Sequence, residues 1–222
     1  PHYSELGLTY RQYRTLLSLD TPQKIQAFLD AMPANFEHGG ETVLPVAEVL
    51  RQRRSHCIEG AFLAACALWL QGERPIVMHL KAVNDYHHVI TLFRRGRYWG
   101  AISKTNAVYL RYRDPIYRNF RELALSYVHE YANARGEKTL RAFSRPFDLS
   151  RVDPKKWVAA DKDCWEIHDR LYYLPHTRLM SSSQVRNLRK FESFQRHIGK
   201  QLQHRKPKRR LGAKRVAHWA RK

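Results

Sequence analysis

The sequence predicts an α+β fold in which a buried helix packs against an antiparallel sheet, and three observations carry that expectation. A small and apolar run, Cys57 to Gln71, is buried on nearly every face if helical. Three short apolar segments follow it: Pro75 to Ala82, His88 to Phe93 and Tyr98 to Ser103. They are separated by Asn84-Asp85 and by Arg94-Arg-Gly-Arg, so the last two read as a hairpin through Gly96. Helical patterns then return, and helices before and after a block of strands define the α+β class.

Taken in order, Thr21-Pro22 with Ile25, Phe28, Leu29 and Met32 is a helix start, a hydroxyl N-cap followed by proline at the first helical position. Pro33 stops it, Asn35 to Pro45 is a polar loop with Gly39-Gly40, and Val46 to Leu50 is a short segment leading to the long helix. Beyond the hairpin, Asp114-Pro115 precedes a helical face of Phe120, Leu123, Ala124, Tyr127, Val128 and Tyr131. Arg145-Pro146 and Asp153-Pro154 mark loops, and Trp157, Trp165, Ile167, Leu171, Tyr172 and Tyr173 add core without a clear period.

The chain has 222 residues and a formal net charge of +20. Residues 186–222 hold fourteen of its basic residues against the single acid Glu192, so +13 belongs to the tail and +7 to the body. Leu188, Phe191, Phe194, Ile198 and Leu202 predict one helix docked on the body, and His204 to Gly212 reads as disordered. The division is a domain over residues 1–185, with its motif region at 46–106, and a basic helix and tail over 186–222. The tail suits an acidic partner, nucleic acid included, or serves solubility alone.

No apolar run approaches the length of about 20 residues that spans a bilayer, and no leader pattern opens the chain, which begins at Pro1. Cys57, Cys66 and Cys164 are too few and too far apart for a disulfide framework, so a cytoplasmic setting is expected. No cofactor or metal pattern is visible; His56, Cys57, His79, His87 and His88 have no recognised zinc spacing. The oligomeric state is left open.

The residues that could do chemistry lie in the motif region. Cys57 opens the buried helix, where free backbone N–H groups and the helix dipole favour a thiolate. The same N–H groups suit an oxyanion. His87 and His88 sit on a following strand, where a histidine can act as base toward the thiol and then as acid toward the leaving group. His88 is preferred because it shares the face of Ile90 and Leu92, expected to look toward the helix, leaving His87 to point away. Ser103 and Asn106 end the hairpin and are the candidates to orient the imidazole. Glu59 and Asp85 are supporting acids or simply first-turn and turn residues. The cluster Tyr109 to Arg118 either stacks bases or fills core, with core the favoured reading.

A helix-start cysteine, a strand histidine and Trp99 four residues before a third polar position resemble the transglutaminase-like superfamily of papain-type cysteine enzymes. Trp99-Gly-Ala-Ile-Ser-Lys-Thr-Asn and Leu110-Arg-Tyr-Arg-Asp-Pro are similar to an uncharacterised bacterial branch of it. The resemblance implies a core helix bearing the cysteine on an antiparallel sheet, with Cys57 as nucleophile, His88 as base and the third position as orienter. It implies hydrolysis or acyl transfer on a protein or peptide substrate. The family aspartate is Ser103 here, and Ile90 stands where an aromatic is frequent. A serine cannot stabilise an imidazolium by charge, so either Asn106 substitutes or the domain is a catalytically inactive interaction module. A nucleic-acid-associated protein acting through its tail is the third alternative.

Overall fold

The computed structural model describes residues 1–206, and its first third is helical. Helices α1 (Tyr3–Leu6), α2 (Tyr10–Leu17), α3 (Pro22–Ala31) and α4 (Val46–Gln52) precede the long helix α5 (Cys57–Leu70). The Thr21 hydroxyl accepts the Lys24 N–H at 3.2 Å, and Pro22 follows as the first helical residue, which fixes the start of α3 as expected.

Strands β1 (Ile76–Ala82), β2 (His88–Arg95), β3 (Tyr98–Ile102) and β4 (Arg113–Tyr117) form an antiparallel meander. After α6 (Phe120–Leu125), β5 (Leu140–Ser144) and the two-residue β6 (Phe147–Asp148) pair with opposite ends of β1. Two 3-10 turns and α7 (Trp165–Tyr173) lead to β7 (His176–Arg178), and α8 (Ser182–Arg186) and α9 (Ser193–Gly199) follow. The sheet order is β4-β3-β2-β1-β5-β7, antiparallel throughout. Gly96 turns the β2–β3 hairpin with φ of 56°, a conformation that favours glycine.

The sheet has an apolar layer on each side. Val77, Val89, Phe93 and Ile102 pack with α5, and the Thr91 hydroxyl donates to the Ala61 carbonyl at 2.7 Å. Met78, Leu80, Ile90, Leu92 and Ala101 face the other way, onto Leu123, Ala124, Tyr127, Val128 and Tyr131. This corrects the expected orientation of β2, whose Ile90 and Leu92 turn away from α5. Strict alternation along β2 decides it, because Thr91 satisfies its hydroxyl on the helix backbone.

Two helices are shorter than their apolar patterns. Helix α6 stops at Leu125, where the Ser126 hydroxyl bonds back to Leu123 O at 2.7 Å and accepts from Arg113 Nε at 2.9 Å. Tyr127, Val128 and Tyr131 are buried all the same, in turns. Among the described residues of the tail segment only Phe191 is buried, against the Tyr109 ring, while Phe194 is 71% exposed, so the docked helical stripe is not formed. His204 is held to the body, whereas residues 207–212 of the expected disordered stretch lie outside the described residues. Among the described residues no helix is long and apolar enough to cross a membrane.

Candidate active site

Cys57 is the first residue of α5, at the positive end of a fourteen-residue helix. First-turn N–H groups of a helix have no intrahelical partner, so they point at whatever approaches the sulfur. Cys57 is only partly covered, whereas Cys66 and Cys164 are buried, and burial pushes both of those thiols up to about 12. Burial also raises Cys57, but hydrogen bonds from His56 and His88, and the charges of both rings, outweigh it and hold the thiol well below its ordinary range.

His88 is the first residue of β2. It lies on the face away from α5, yet from the strand's end it reaches the thiol at the helix terminus. Its Nε2 is 2.7 Å from Ser103 Oγ, and that hydroxyl donates to the Leu110 carbonyl. Leu110 adopts φ of 62°, left-handed backbone that costs a leucine about 1–3 kcal/mol. The strain turns its carbonyl to Ser103 and its N–H to Glu130 Oε2 at 2.9 Å.

The backbone of Ser103 is clamped by one side chain. Gln26 accepts the Ser103 N–H at 2.9 Å and donates to the Ser103 carbonyl at 2.9 Å, doing from α3 what a neighbouring strand would do. Next to it Lys104 is buried, and its ammonium donates to the Leu29 and Met32 carbonyls at the end of α3. Burial brings that ammonium down to about 8. Its stem crosses α5 at Gly60, where a Cβ would stand 2.4 Å from Lys104 Cβ.

Asn106 does not reach the imidazole. Its side chain donates to His204 O at 3.0 Å and accepts the His204 N–H at 2.8 Å, so of the two orienter candidates only Ser103 meets His88. Asp85 is engaged elsewhere, accepting from Thr139 at 2.7 Å. The aromatic and basic cluster is largely scaffold: Tyr112 stacks on Phe93 at 5.6 Å, and Arg113 sits over the Tyr127 ring at 4.1 Å.

Sequence reasoning missed a second imidazole. His56, the N-cap of α5, places Nε2 2.8 Å from Thr42 O and 3.2 Å from Glu59 Oε1. Glu59 is fully buried and accepts from Thr42 Oγ1 at 2.7 Å, His56 N at 2.9 Å, Leu44 N at 3.1 Å and Asn35 Nδ2 at 3.1 Å. Burial raises this carboxyl, but its bonds and charge contact with His56 more than offset that, and the net shift is downward. Burial opposes charge on His56 too, yet bonds to Cys57 and Glu59 lift it well above its ordinary value. The signal was present as His56-x-x-Glu59 bracketing the candidate nucleophile, a spacing that closes on itself in a first helical turn.

His79 and His87 belong to a different cluster. His79 Nδ1 is 2.8 Å from His176 Nε2, His79 Nε2 is 3.0 Å from His87 Nδ1, and the His87 ring stacks on Tyr172 at 5.2 Å. His87 therefore does not point to solvent. Among the described residues no group of three or more His, Cys, Asp or Glu side chains is arranged to hold a metal ion. No protein-family model matches the chain, and no curated protein sequence matches it.

Proposed function

We propose that the chain is a thiol-dependent acyl-transfer enzyme of the transglutaminase-like, papain-type class, with Cys57 as nucleophile, acting on an amide of a protein or peptide. The observation that carries this reading is the thiol of a partly exposed cysteine at the start of α5, flanked by two imidazoles and drawn below its ordinary range. The order of α5, β2 and β3, with Ser103 just past the end of β3 and bonded to His88, supports the fold resemblance.

In the reaction, the Cys57 S–H proton passes to an imidazole and the sulfur lone pair attacks the carbonyl carbon. The first-turn N–H groups of α5 face the developing oxyanion, a contact worth about 3–4 kcal/mol per donor where measured in other enzymes. The C–N bond then breaks, the amine leaves with the imidazolium proton, and a thioester remains on Cys57. Water or an amine attacks that thioester, gives its proton to an imidazole and releases the sulfur. Three unpaired cysteines fit a reducing, cytoplasmic setting for such a thiol.

A second reading, a catalytically silent interaction domain of the same class, is favoured by Ser103, which brings no charge to His88. An activated ester separates the two. With p-nitrophenyl acetate, the full chain is expected to release a burst of about one equivalent of nitrophenolate and to carry acetyl on the Cys57 peptide. Absence of the adduct, or its persistence in Cys57→Ala, overturns the enzyme reading.

A further inference from the structure

Two imidazoles meet one thiol, and their hydrogen-bond partners fix which nitrogen each presents. Around His56 Nε2 stand Thr42 O at 2.8 Å, Glu59 Oε1 at 3.2 Å and Glu37 Oε1 at 3.5 Å, all acceptors, so this nitrogen carries a hydrogen. Nδ1 is then the nitrogen left for the sulfur. At His88 the Ser103 hydroxyl spends its hydrogen on Leu110 O, so the same oxygen accepts from His88 Nε2 and Nδ1 is again the open nitrogen. One thiol proton thus has two possible acceptors, and the group behind each ring decides between them. Behind His88 is a neutral hydroxyl. Behind His56 is a buried carboxylate held ionised by its donors from Asn35, Thr42, Leu44 and the His56 backbone.

We propose, resting on the acyl-transfer reading, that His56 and not His88 takes the Cys57 proton, and that Glu59 is the positioning carboxylate the resemblance would have put at residue 103. The S–H bond breaks, an N–H bond forms at His56 Nδ1, and the electron pair stays on sulfur. When the amide C–N bond breaks, that same proton leaves with the amine. His88, oriented by Ser103, keeps its open nitrogen for the proton of the incoming water or amine. A carboxylate absent from the strand is therefore supplied by the helix that bears the nucleophile, three residues from the histidine it serves.

Other ionisable groups face this pair. Glu37, from the loop before α4, and Asp163, from the segment before α7, act on His56; both are raised, chiefly by burial, and so contribute less negative charge in acid. His88 and Tyr131 face Cys57, and Asp85 lies near Tyr131.

The test is the pH profile of iodoacetamide alkylation at Cys57 in the full chain, read by peptide mass spectrometry. His56→Gln and Glu59→Gln are expected to raise the midpoint by about 1–3 pH units, and His88→Gln by less than about one. Glu59→Gln risks unfolding, which circular dichroism reports; His56→Gln then carries the test, because the other donors to Glu59 remain. A wild-type midpoint near the ordinary thiol value of about 8.5 overturns both this inference and the acyl-transfer reading. A depressed wild-type midpoint that His88→Gln raises as much as, or more than, His56→Gln overturns the assignment alone.

Discussion

Replacing Gly60 by alanine sets helix propensity against packing, and the two predict opposite signs. In an unconstrained helix interior the change gains about 1 kcal/mol. Here the added methyl would stand 2.4 Å from Lys104 Cβ and 2.9 Å from Lys104 Cγ. Those atoms are the root of the side chain, so they cannot swing aside while the ammonium keeps its bonds to Leu29 O and Met32 O. Relieving the clash costs about 1–3 kcal/mol as overpacking, and each α3 carbonyl stripped of its donor about 1–3 more. With one carbonyl stripped, and after the propensity gain, the net loss is about 1–5 kcal/mol, roughly 2–4 °C in Tm per kcal/mol at this size. Urea unfolding followed by circular dichroism measures it. Lys104→Gly, which removes the Cβ as well, should make Gly60→Ala cheaper by about 1 kcal/mol or more in the double variant. A Gly60→Ala protein as stable as wild type, or more stable, refutes the packing argument.

Other expectations follow from single contacts. Ser103→Ala leaves His88 Nε2 and the Leu110 carbonyl without their partner and should lower stability by about 1–3 kcal/mol in the same assay; no loss would mean that the bond is not made. Asn106→Ala removes both side-chain bonds to His204 and should speed proteolysis of the segment after Gly199 while leaving the alkylation rate of Cys57 unchanged. A fall in that rate would return Asn106 to the site. Burial and the neighbouring charges of His87, His176, His168 and Lys81 bring His79 down to about 2. Below about pH 6.5 the unfolded chain binds a proton that folded His79 refuses, so stability falls as pH falls. His79→Gln should flatten the slope between pH 6.5 and 4.5 by up to about 1.4 kcal/mol per unit, and an unchanged slope would contradict this.

The backbone of the site was legible because its signals are local. A run of small and apolar residues after Ser55-His-Cys gave α5 to within a residue, and the turn residues before and after β2 bounded the hairpin. The resemblance put Ser103, four residues after Trp99, at the orienter position with Asn106 as the alternative, and Ser103 is the one that meets His88. What escaped depends on contacts between distant elements. Lys104 reads as a surface charge until α3 supplies carbonyls and Gly60 a groove for its stem. Glu59 reads as a first-turn acid until Asn35, Thr42 and Leu44 close over it. The facing of β2 was misread because both of its faces are apolar, so alternation alone could not say which one meets α5. The tail's apolar stripe does not form one docked helix: α8 ends at Arg186 and α9 spans only Ser193–Gly199, so Leu188, Phe191 and Leu202 lie outside both helices.

Competitive alkylation of the three cysteines tests most directly whether Cys57 is an activated thiol. At pH 7 in the native full chain, Cys57 is expected to label more than about a hundredfold faster than Cys66 and Cys164, since each unit of thiol pKa is tenfold in thiolate and burial holds the other two up to about 12. Equal and slow labelling of all three would contradict the account.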